Sequence, residues 1–262
     1  MSLMLNSMLN NNYPDTKLVG YVFCSGLGTR LMPYTNEIPK PLLLKQQDQT
    51  FLEINIERLL NINVEHIFVN YSYAYEYFLE TVQKYGDKVT LIYEEKPIGQ
   101  GKAICNIVQN IKGYTLLYTV NGDTIAEYDN FDFINSMVQN KMDYLISSDY
   151  HVPVAANLIV DSENKLLGCK LNDKQYFYNK SFSGNTFKNS LGDYLFNINS
   201  LLDIYEEASR QDFLGIFGED DLAEILIKNN KLVTVQDINV KSYYSVNTVE
   251  EYNNFINNNY AS

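Results

Sequence analysis

The sequence predicts an α/β protein built on a doubly wound, mostly parallel sheet. Through the first 150 residues, short apolar segments rich in β-branched residues alternate with helical patterns of about ten residues. Polar loops that contain glycine follow two of the predicted strands. Because the carboxyl ends of parallel strands meet at one edge of such a sheet, we expect both loops to belong to a single site.

Each element of this first part has a local sequence signal. Thr50 and Glu53 form the capping box that opens the first helix, and Gly86 and Gly113 close the second and third helices. The predicted elements alternate along the chain as strand 19–24, helix 50–63, strand 66–71, helix 73–86, strand 88–93, helix 101–113 and strand 114–120.

After about residue 150 the alternation gives way to a mixed pattern, which predicts a smaller α+β lobe. We expect a hairpin over 155–171 with its turn at 162–165, a strand over 191–198, and helices over 219–230 and 248–259. The chain then forms one domain, residues 17–262, after a loose tail at residues 1–16. Its two lobes cover about 17–150 and about 151–262.

The composition argues against several classes of protein. The 262 residues carry a formal net charge of −12, whereas nucleic-acid-binding proteins present basic faces. Three widely spaced cysteines and two histidines argue against a disulfide framework, a zinc knuckle and a serine hydrolase triad. No apolar run approaches a membrane span, and the N-terminus lacks the regions of a secretory signal. We therefore expect a cytoplasmic protein that binds neither nucleic acid nor membrane.

The loop after the first strand is the strongest chemical signal. Gly26 and Gly28 suggest backbone amides wrapped around phosphate, although Leu31 replaces the third glycine of a dinucleotide fingerprint. Arg30 follows these glycines, and Lys40 lies between two prolines that stiffen the backbone. Two aimed cations and a set of amides suit a nucleoside triphosphate. The alternative is a solvent-exposed loop with incidental charges.

Three segments resemble the sugar-1-phosphate nucleotidylyltransferases, whose signature is roughly G-x-G-T-R-L-x-P-x-T…P-K-P-L. They are "GLGTRLMPYTNEIPKPLL" (26–43), "EEKPIGQGKAI" (94–104) and "NGDT" (121–124). The order of strands and helices is similar from Lys17 to about Asp149. The C-terminal lobe resembles the family only at "LGDYLF" and "VNTVEEY".

The resemblance implies an α/β sandwich of the nucleotide-diphospho-sugar transferase type and a Mg²⁺-dependent reaction. A sugar 1-phosphate oxygen attacks the α-phosphorus of a nucleoside triphosphate, and pyrophosphate leaves. By position, Arg30 holds the pyrophosphate portion, Lys40 neutralises the α-phosphate, and Asp123 ligates Mg²⁺. The residues that line the nucleotide are then Gly26, Leu27, Gly28, Thr29, Glu94, Pro97, Gly99 and Gly122.

The nucleobase and the acceptor have weaker signals. A carboxylate at Glu94 can accept hydrogen bonds from guanine N1 and N2, which favours GTP with a mannose- or heptose-type 1-phosphate. A solvated strand end is the alternative for Glu94. Gly192 would approach the sugar, and Lys170 or Lys174 would replace a family lysine that meets the sugar phosphate.

The chain departs from the family before its last helix. Many relatives have an aspartate there that completes the metal site, whereas this chain has Ser245 and Asn247. Asn247 could still ligate Mg²⁺ through its amide oxygen. Two alternatives stay open beside the proposed role in nucleoside diphosphate sugar and polysaccharide biosynthesis: a cytidylyltransferase for a non-sugar phosphate such as phosphocholine, and a non-catalytic regulatory paralogue. Because relatives often self-associate, a homo-oligomer also stays open.

Overall fold

The structure, a computed structural model, describes residues 15–150, 152, 157–171, 174–179, 181, 183, 186–210 and 219–259. The strands are β1 (Leu18–Phe23), β2 (Lys45–Gln46), β3 (Gln49–Thr50), β4 (Val64–Tyr71), β5 (Val89–Tyr93), β6 (Leu116–Asn121), β7 (Thr124–Glu127), β8 (Tyr144–Ser148), β9 (Asn157–Val160), β10 (Leu166–Leu171), β11 (Lys174–Phe177), β12 (Thr186–Asn197), β13 (Val233–Asp237) and β14 (Ser242–Ser245).

The α-helices are α1 (Lys40–Leu43), α2 (Phe51–Leu60), α3 (Tyr75–Val82), α4 (Gln100–Val108), α5 (Asn130–Gln139), α6 (Ile198–Arg210), α7 (Glu219–Lys228) and α8 (Val249–Asn259). Short 3₁₀ turns cover Thr29–Leu31, Gln83–Lys88 and Gln109–Ile111. Within the described ranges, no helix is long and apolar enough to cross a membrane.

A mixed ten-stranded sheet forms the centre of the molecule. Strands β5, β4, β1 and β6 are parallel neighbours, with Val22 of β1 opposite Val69 of β4 and Val120 of β6. Strand β12 then pairs antiparallel with β6, β8 and β9, and β13 lies parallel to β8. The carboxyl ends of β1, β4 and β6 therefore share one edge, as the sequence predicted.

Both faces of the sheet are covered by helices. Along β1, Val19 and Tyr21 are fully buried against residues of α4, α6 and α7. Val22 faces the opposite side, where α2, α3 and α5 supply the packing. The alternation of side chains along a strand places successive residues in two separate cores, so the doubly wound prediction is confirmed.

Local signals set several element ends. The Thr50–Glu53 capping box is present in both directions at the start of α2. Helix α3 ends at Val82 and continues as a 3₁₀ turn in which Gly86 adopts a φ of +56°. The hairpin predicted over 155–171 forms from β9 and β10, although residues 155 and 156 lie outside the described residues. The strand predicted at 191–198 forms the second half of the longer β12 up to Asn197, and Ile198 instead begins α6. Most of the predicted tail, residues 1–14, lies outside the described residues.

Helix α6 and the elements between residues 130 and 148 were not predicted from the sequence. Helix α5 has a readable signal, because Asp129 accepts a hydrogen bond from the backbone N–H of Phe131 as an N-cap and the buried residues keep a helical spacing. Strand β13 is short and has no turn signal that marks it as part of the central sheet. The three cysteines are free and buried.

Candidate functional site

The loop after β1 has a fixed backbone. Gly28 adopts a left-handed φ of +61°, and the Thr35 hydroxyl donates a hydrogen bond of 2.9 Å to its carbonyl. A Cβ at Gly28 would lie 3.0 Å from the Thr35 methyl, so both conformation and space require glycine there. The buried side chain of Leu31 anchors the far end of the loop. The glycine loop is therefore held as a rigid surface at the strand edge.

Lys40 begins helix α1 directly after Pro39, and its side chain is only 7% exposed. Its Nζ donates to Asp123 Oδ2 at 2.7 Å and to Asn247 Oδ1 at 3.0 Å. Exposed Arg30 donates to the same Asn247 oxygen at 3.2 Å. Segments more than 200 residues apart in the sequence thus place two cations, one carboxylate and one amide together.

Asp123 lies just beyond β6, in the turn that leads to β7, and its side chain is 38% exposed. Gly122 permits this position because a Cβ there would lie 2.4 Å from Cys24 Sγ and 3.0 Å from the carbonyl of Phe23. Burial, with a contribution from Asp123, raises the pKa of the Cys24 thiol well above its ordinary value. Cys24 is therefore an inert part of the cavity floor rather than a nucleophile.

A cavity of about 410 Å³ opens at this edge of the sheet. Most of the predicted site residues line this cavity. The lining residues are Phe23, Cys24, Ser25, Gly26, Gly28, Thr29, Arg30, Leu31, Lys40, Pro41, Asn70, Pro97, Gly99, Gln100, Asn121, Asp123 and Asn247.

Five predicted residues lie outside that wall. Leu27 is 46% exposed and Gly122 lies behind the cavity against Cys24. Gly192 lies against Asn121, one strand away on β12. Lys170 lies on β10 with its Nζ 5.8 Å from the centre of the Phe187 ring. The fifth is Glu94, which is buried and does not line the cavity.

Glu94 is buried, with only 6% of its surface exposed, behind the cavity. Its Oε1 accepts a hydrogen bond of 2.8 Å from Asn70 Nδ2, and its Oε2 is buried with no partner among the described residues. Asn70 also accepts from the backbone N–H of Cys24 at 2.6 Å and donates to the Ser25 hydroxyl at 3.1 Å. The solvated strand end considered for Glu94 is therefore wrong.

Sequence reasoning missed four polar residues of the wall: Ser25, Asn70, Gln100 and Asn121. Gln100 donates to Asn121 Oδ1 at 2.6 Å, which joins the start of α4 to the end of β6. Two of them stood inside the family-like segments, where Asn121 directly precedes the Gly-Asp pair. Asn70 had a weaker signal, as a polar residue near the end of an apolar strand.

The oxygen atoms that could ligate a metal at this site suit a hard cation only in part. Among the described residues, no group of three or more histidine, cysteine, aspartate or glutamate side chains could hold a metal. Asp123 supplies one carboxylate, and Asn247 supplies an amide oxygen that shares the Lys40 ammonium with it. Mg²⁺ is commonly bound by one or two carboxylates together with water and substrate phosphates, so this pair of oxygens is compatible with it.

The nucleotidyl transferase family model matches residues 19–156, which is more than half of the chain. The chain therefore belongs to the nucleotidyl transferase family. The matched residues include the glycine loop, Lys40, the 94–104 segment and Asp123, which supply much of the cavity wall, whereas Asn247 lies outside the match.

Individual proteins are similar to this chain in sequence or in fold. The D-glycero-alpha-D-manno-heptose 1-phosphate guanylyltransferase of Campylobacter jejuni is 34% identical over 110 residues, covering 41% of this chain and 48% of that protein. HddC from Yersinia pseudotuberculosis has a TM-score of 0.67 at 23% identity, covering 91% of this chain and 98% of the other. The inositol-1-phosphate CTP transferase from T. maritima has a TM-score of 0.67 at 12% identity, covering 94% and 96%.

These structural neighbours establish the fold, which is that of the nucleotide-diphospho-sugar transferases. The chain spans about half the length, or less, of the first curated relatives that it matches.

Proposed function

We propose that this chain transfers a nucleoside monophosphate from a nucleoside triphosphate to a sugar 1-phosphate, forming a nucleoside diphosphate sugar and pyrophosphate. The observation that carries the proposal is the convergence of Lys40 and Arg30 on Asp123 and Asn247 beside a rigid glycine loop. Phosphoryl transfer of this kind depends on positioning and charge neutralisation rather than on a protein nucleophile.

Each side chain has a separate task in this proposal. Lys40 is held with its ammonium at the centre of the polar cluster, where it offsets charge on the α-phosphate under attack. Arg30 is exposed and can hold the departing pyrophosphate as a flexible fork of donors. The amides of the glycine loop supply neutral donors that need no counter-charge.

The proposed cofactor is Mg²⁺, which Asp123 and Asn247 would hold together with the phosphates of the substrate. When bound, the ion supplies positive charge that offsets the charge of the phosphates. Asn247 replaces a formal negative ligand by a neutral one, so we expect weaker metal binding than at a site with two carboxylates.

We propose guanine as the base, because Glu94 keeps one buried carboxylate oxygen without a partner among the described residues. Asn70, which lines the cavity, holds the other oxygen and is itself fixed by Cys24 and Ser25. Because Glu94 lies behind this wall, the proposal requires the wall at Asn70 to open when the base binds, so that N1–H and N2–H of guanine reach the oxygen without a partner. Glu94→Gln should lower kcat/KM for GTP about 10-fold to 100-fold. The exposed Glu95→Gln is the matched control, and an equal loss in both variants would remove Glu94 from base recognition.

For the acceptor we propose a mannose- or heptose-type sugar 1-phosphate bound by the lobe at about 151–262. The guanylyltransferase named among the relatives acts on a heptose 1-phosphate, which supports this class. Gly192 borders the cavity residue Asn121 and is the best-placed of the predicted acceptor residues. Lys170 stays a prediction.

The test is pyrophosphate release from ATP, CTP, GTP, UTP and dTTP, each with a panel of sugar 1-phosphates and with phosphocholine, in the presence of Mg²⁺. Release with GTP and a mannose or heptose 1-phosphate is the expected result. Release only with CTP and phosphocholine would establish the cytidylyltransferase instead. Binding of a triphosphate without release from any pair would favour the regulatory alternative, for which the neutral Asn247 is the supporting observation.

A further inference from the structure

Two side-chain amides meet where the nucleotide cavity borders β12. Gln100, the first residue of α4, donates from Nε2 to Asn121 Oδ1 at 2.6 Å. Both residues line the cavity. The contact therefore joins the loop that follows Gly99 to the strand end that carries the Gly-Asp pair.

The hydrogen bond fixes which end of the Asn121 amide is free. Oδ1 is occupied by Gln100. Nδ2 points toward Gly192, since a Cβ on Gly192 would lie 2.4 Å from Asn121 Nδ2. Among the described residues Nδ2 donates to no protein group. Gly192 has a φ of +86°, a conformation that favours glycine. Because glycine has no Cβ, there is room for the Asn121 amide beside it.

The opposite orientation of the two amides is disfavoured by burial. As they stand, Gln100 Oε1 is a buried acceptor with no partner among the described residues. If both amides turned over, the buried group without a partner would become an NH₂ with two donors. Buried N–H groups without partners are rarer in proteins than under-satisfied carbonyls, so the observed orientation is the stable one.

We propose that Gln100 is a positioning residue for the acceptor, which holds Asn121 so that its Nδ2 donates to an oxygen of the sugar 1-phosphate. This inference rests on the proposed function and assigns a role to two residues of the same site. Gln100 acts only through Asn121, and the acceptor oxygen is either a hydroxyl or a phosphate oxygen, since both can accept from Nδ2.

Gln100→Met tests the proposal because it keeps the length of the side chain, adds no charge and removes the donor. We expect the KM for mannose 1-phosphate to rise about tenfold while the KM for GTP stays within about twofold. The exposed Gln139→Met at the end of α5 is the control. Thermal unfolding of each variant checks that the fold is intact.

A double-mutant cycle separates positioning from a general structural role. If Gln100 acts through Asn121, the Gln100→Met/Asn121→Ala double variant should be no worse for the acceptor than Asn121→Ala alone. Additive losses, or an equal rise in the KM for GTP, would overturn the proposal. Absence of transfer by the wild type with every pair would instead refute the proposed function, and the inference with it.

A measurement on the unmodified protein covers the case in which Gln100→Met does not fold. The side-chain amide of Asn121, labelled with ¹⁵N and assigned by its loss in Asn121→Ala, should shift when mannose 1-phosphate binds. An unchanged amide signal with the acceptor bound would contradict a hydrogen bond from Nδ2.

Discussion

Lys40 offers the sharpest test of the site, because it is nearly buried and has two defined partners. Replacing it with methionine keeps the apolar stem and removes only the ammonium, which is 2.7 Å from Asp123 Oδ2 and 3.0 Å from Asn247 Oδ1. In the proposed reaction, the lost group is a charged donor that offsets the charge on the α-phosphate. Removal of a comparable preorganised donor costs about 10²–10³ in kcat, or about 3–4 kcal/mol.

The same change should alter stability little. A charge left alone in a dry interior would cost several kcal/mol, but Asp123 is 38% exposed and water can replace the ammonium. We expect the free energy of unfolding of Lys40→Met to stay within about 1 kcal/mol of the wild type. Activity and stability should therefore separate in this variant.

The assay is steady-state pyrophosphate release at saturating triphosphate, acceptor and Mg²⁺, with chemical denaturation run on the same samples. The exposed Lys45→Met, five residues further along the chain, is the matched control and should retain full kcat. A Lys40→Met enzyme that keeps more than about a tenth of the wild-type kcat would refute the role given to the ammonium. Parallel loss of activity and folding would show that Lys40 is structural.

Three further outcomes follow from the structure. Asn247→Asp adds a carboxylate beside Asp123, so Mn²⁺ should bind about tenfold more tightly to this variant. The measurement is calorimetric titration of Mn²⁺ in the presence of a non-hydrolysable triphosphate, and unchanged binding would mean that position 247 does not face the metal. Gly192→Ala places a Cβ against Asn121, at a position where Gly192 has a φ of +86°. It should lower the free energy of unfolding by about 1–3 kcal/mol in chemical denaturation, and wild-type stability would show that the backbone here relaxes freely. Partial burial lowers the pKa of His66 below its ordinary value of 6.5, so protonation favours the unfolded chain. Stability should therefore fall as pH drops below about 6.5, and fall less in His66→Gln; identical pH profiles would remove His66 as the cause.

The half of the candidate site that we propose for the nucleotide could be predicted because its signals are local. Gly26 and Gly28 follow a strand, and Lys40 lies between two prolines, so a few neighbouring residues already restrict the backbone. Asp123 could be added because it follows another strand whose carboxyl end must share the same edge. The positions of these residues at one edge of the sheet therefore follow from the order of the strands.

Other parts of the site depend on side-chain orientation, which the order of strands does not give. Glu94 could face solvent or the interior from sequence alone, and only packing against Asn70 shows that it is buried. Gln100 and Asn121 are 21 residues apart and meet because α4 begins above the end of β6. The region after about residue 150 was predicted least well, since antiparallel strands such as β12 join the central sheet through long-range pairing that has no local signal.

The sequence by itself determined the α/β class, the edge of the sheet that carries the candidate site, and the positions of Arg30 and Lys40 near that edge, because periodicity, glycine and proline act through near neighbours. Only the tertiary structure decided that Asn247, near the last helix, shares its oxygen with Lys40 and Arg30. It also decided which carboxylate oxygen of Glu94 has no partner among the described residues. Hydrogen bonds between distant segments depend on how whole elements pack, and no pattern in the neighbouring residues encodes their direction.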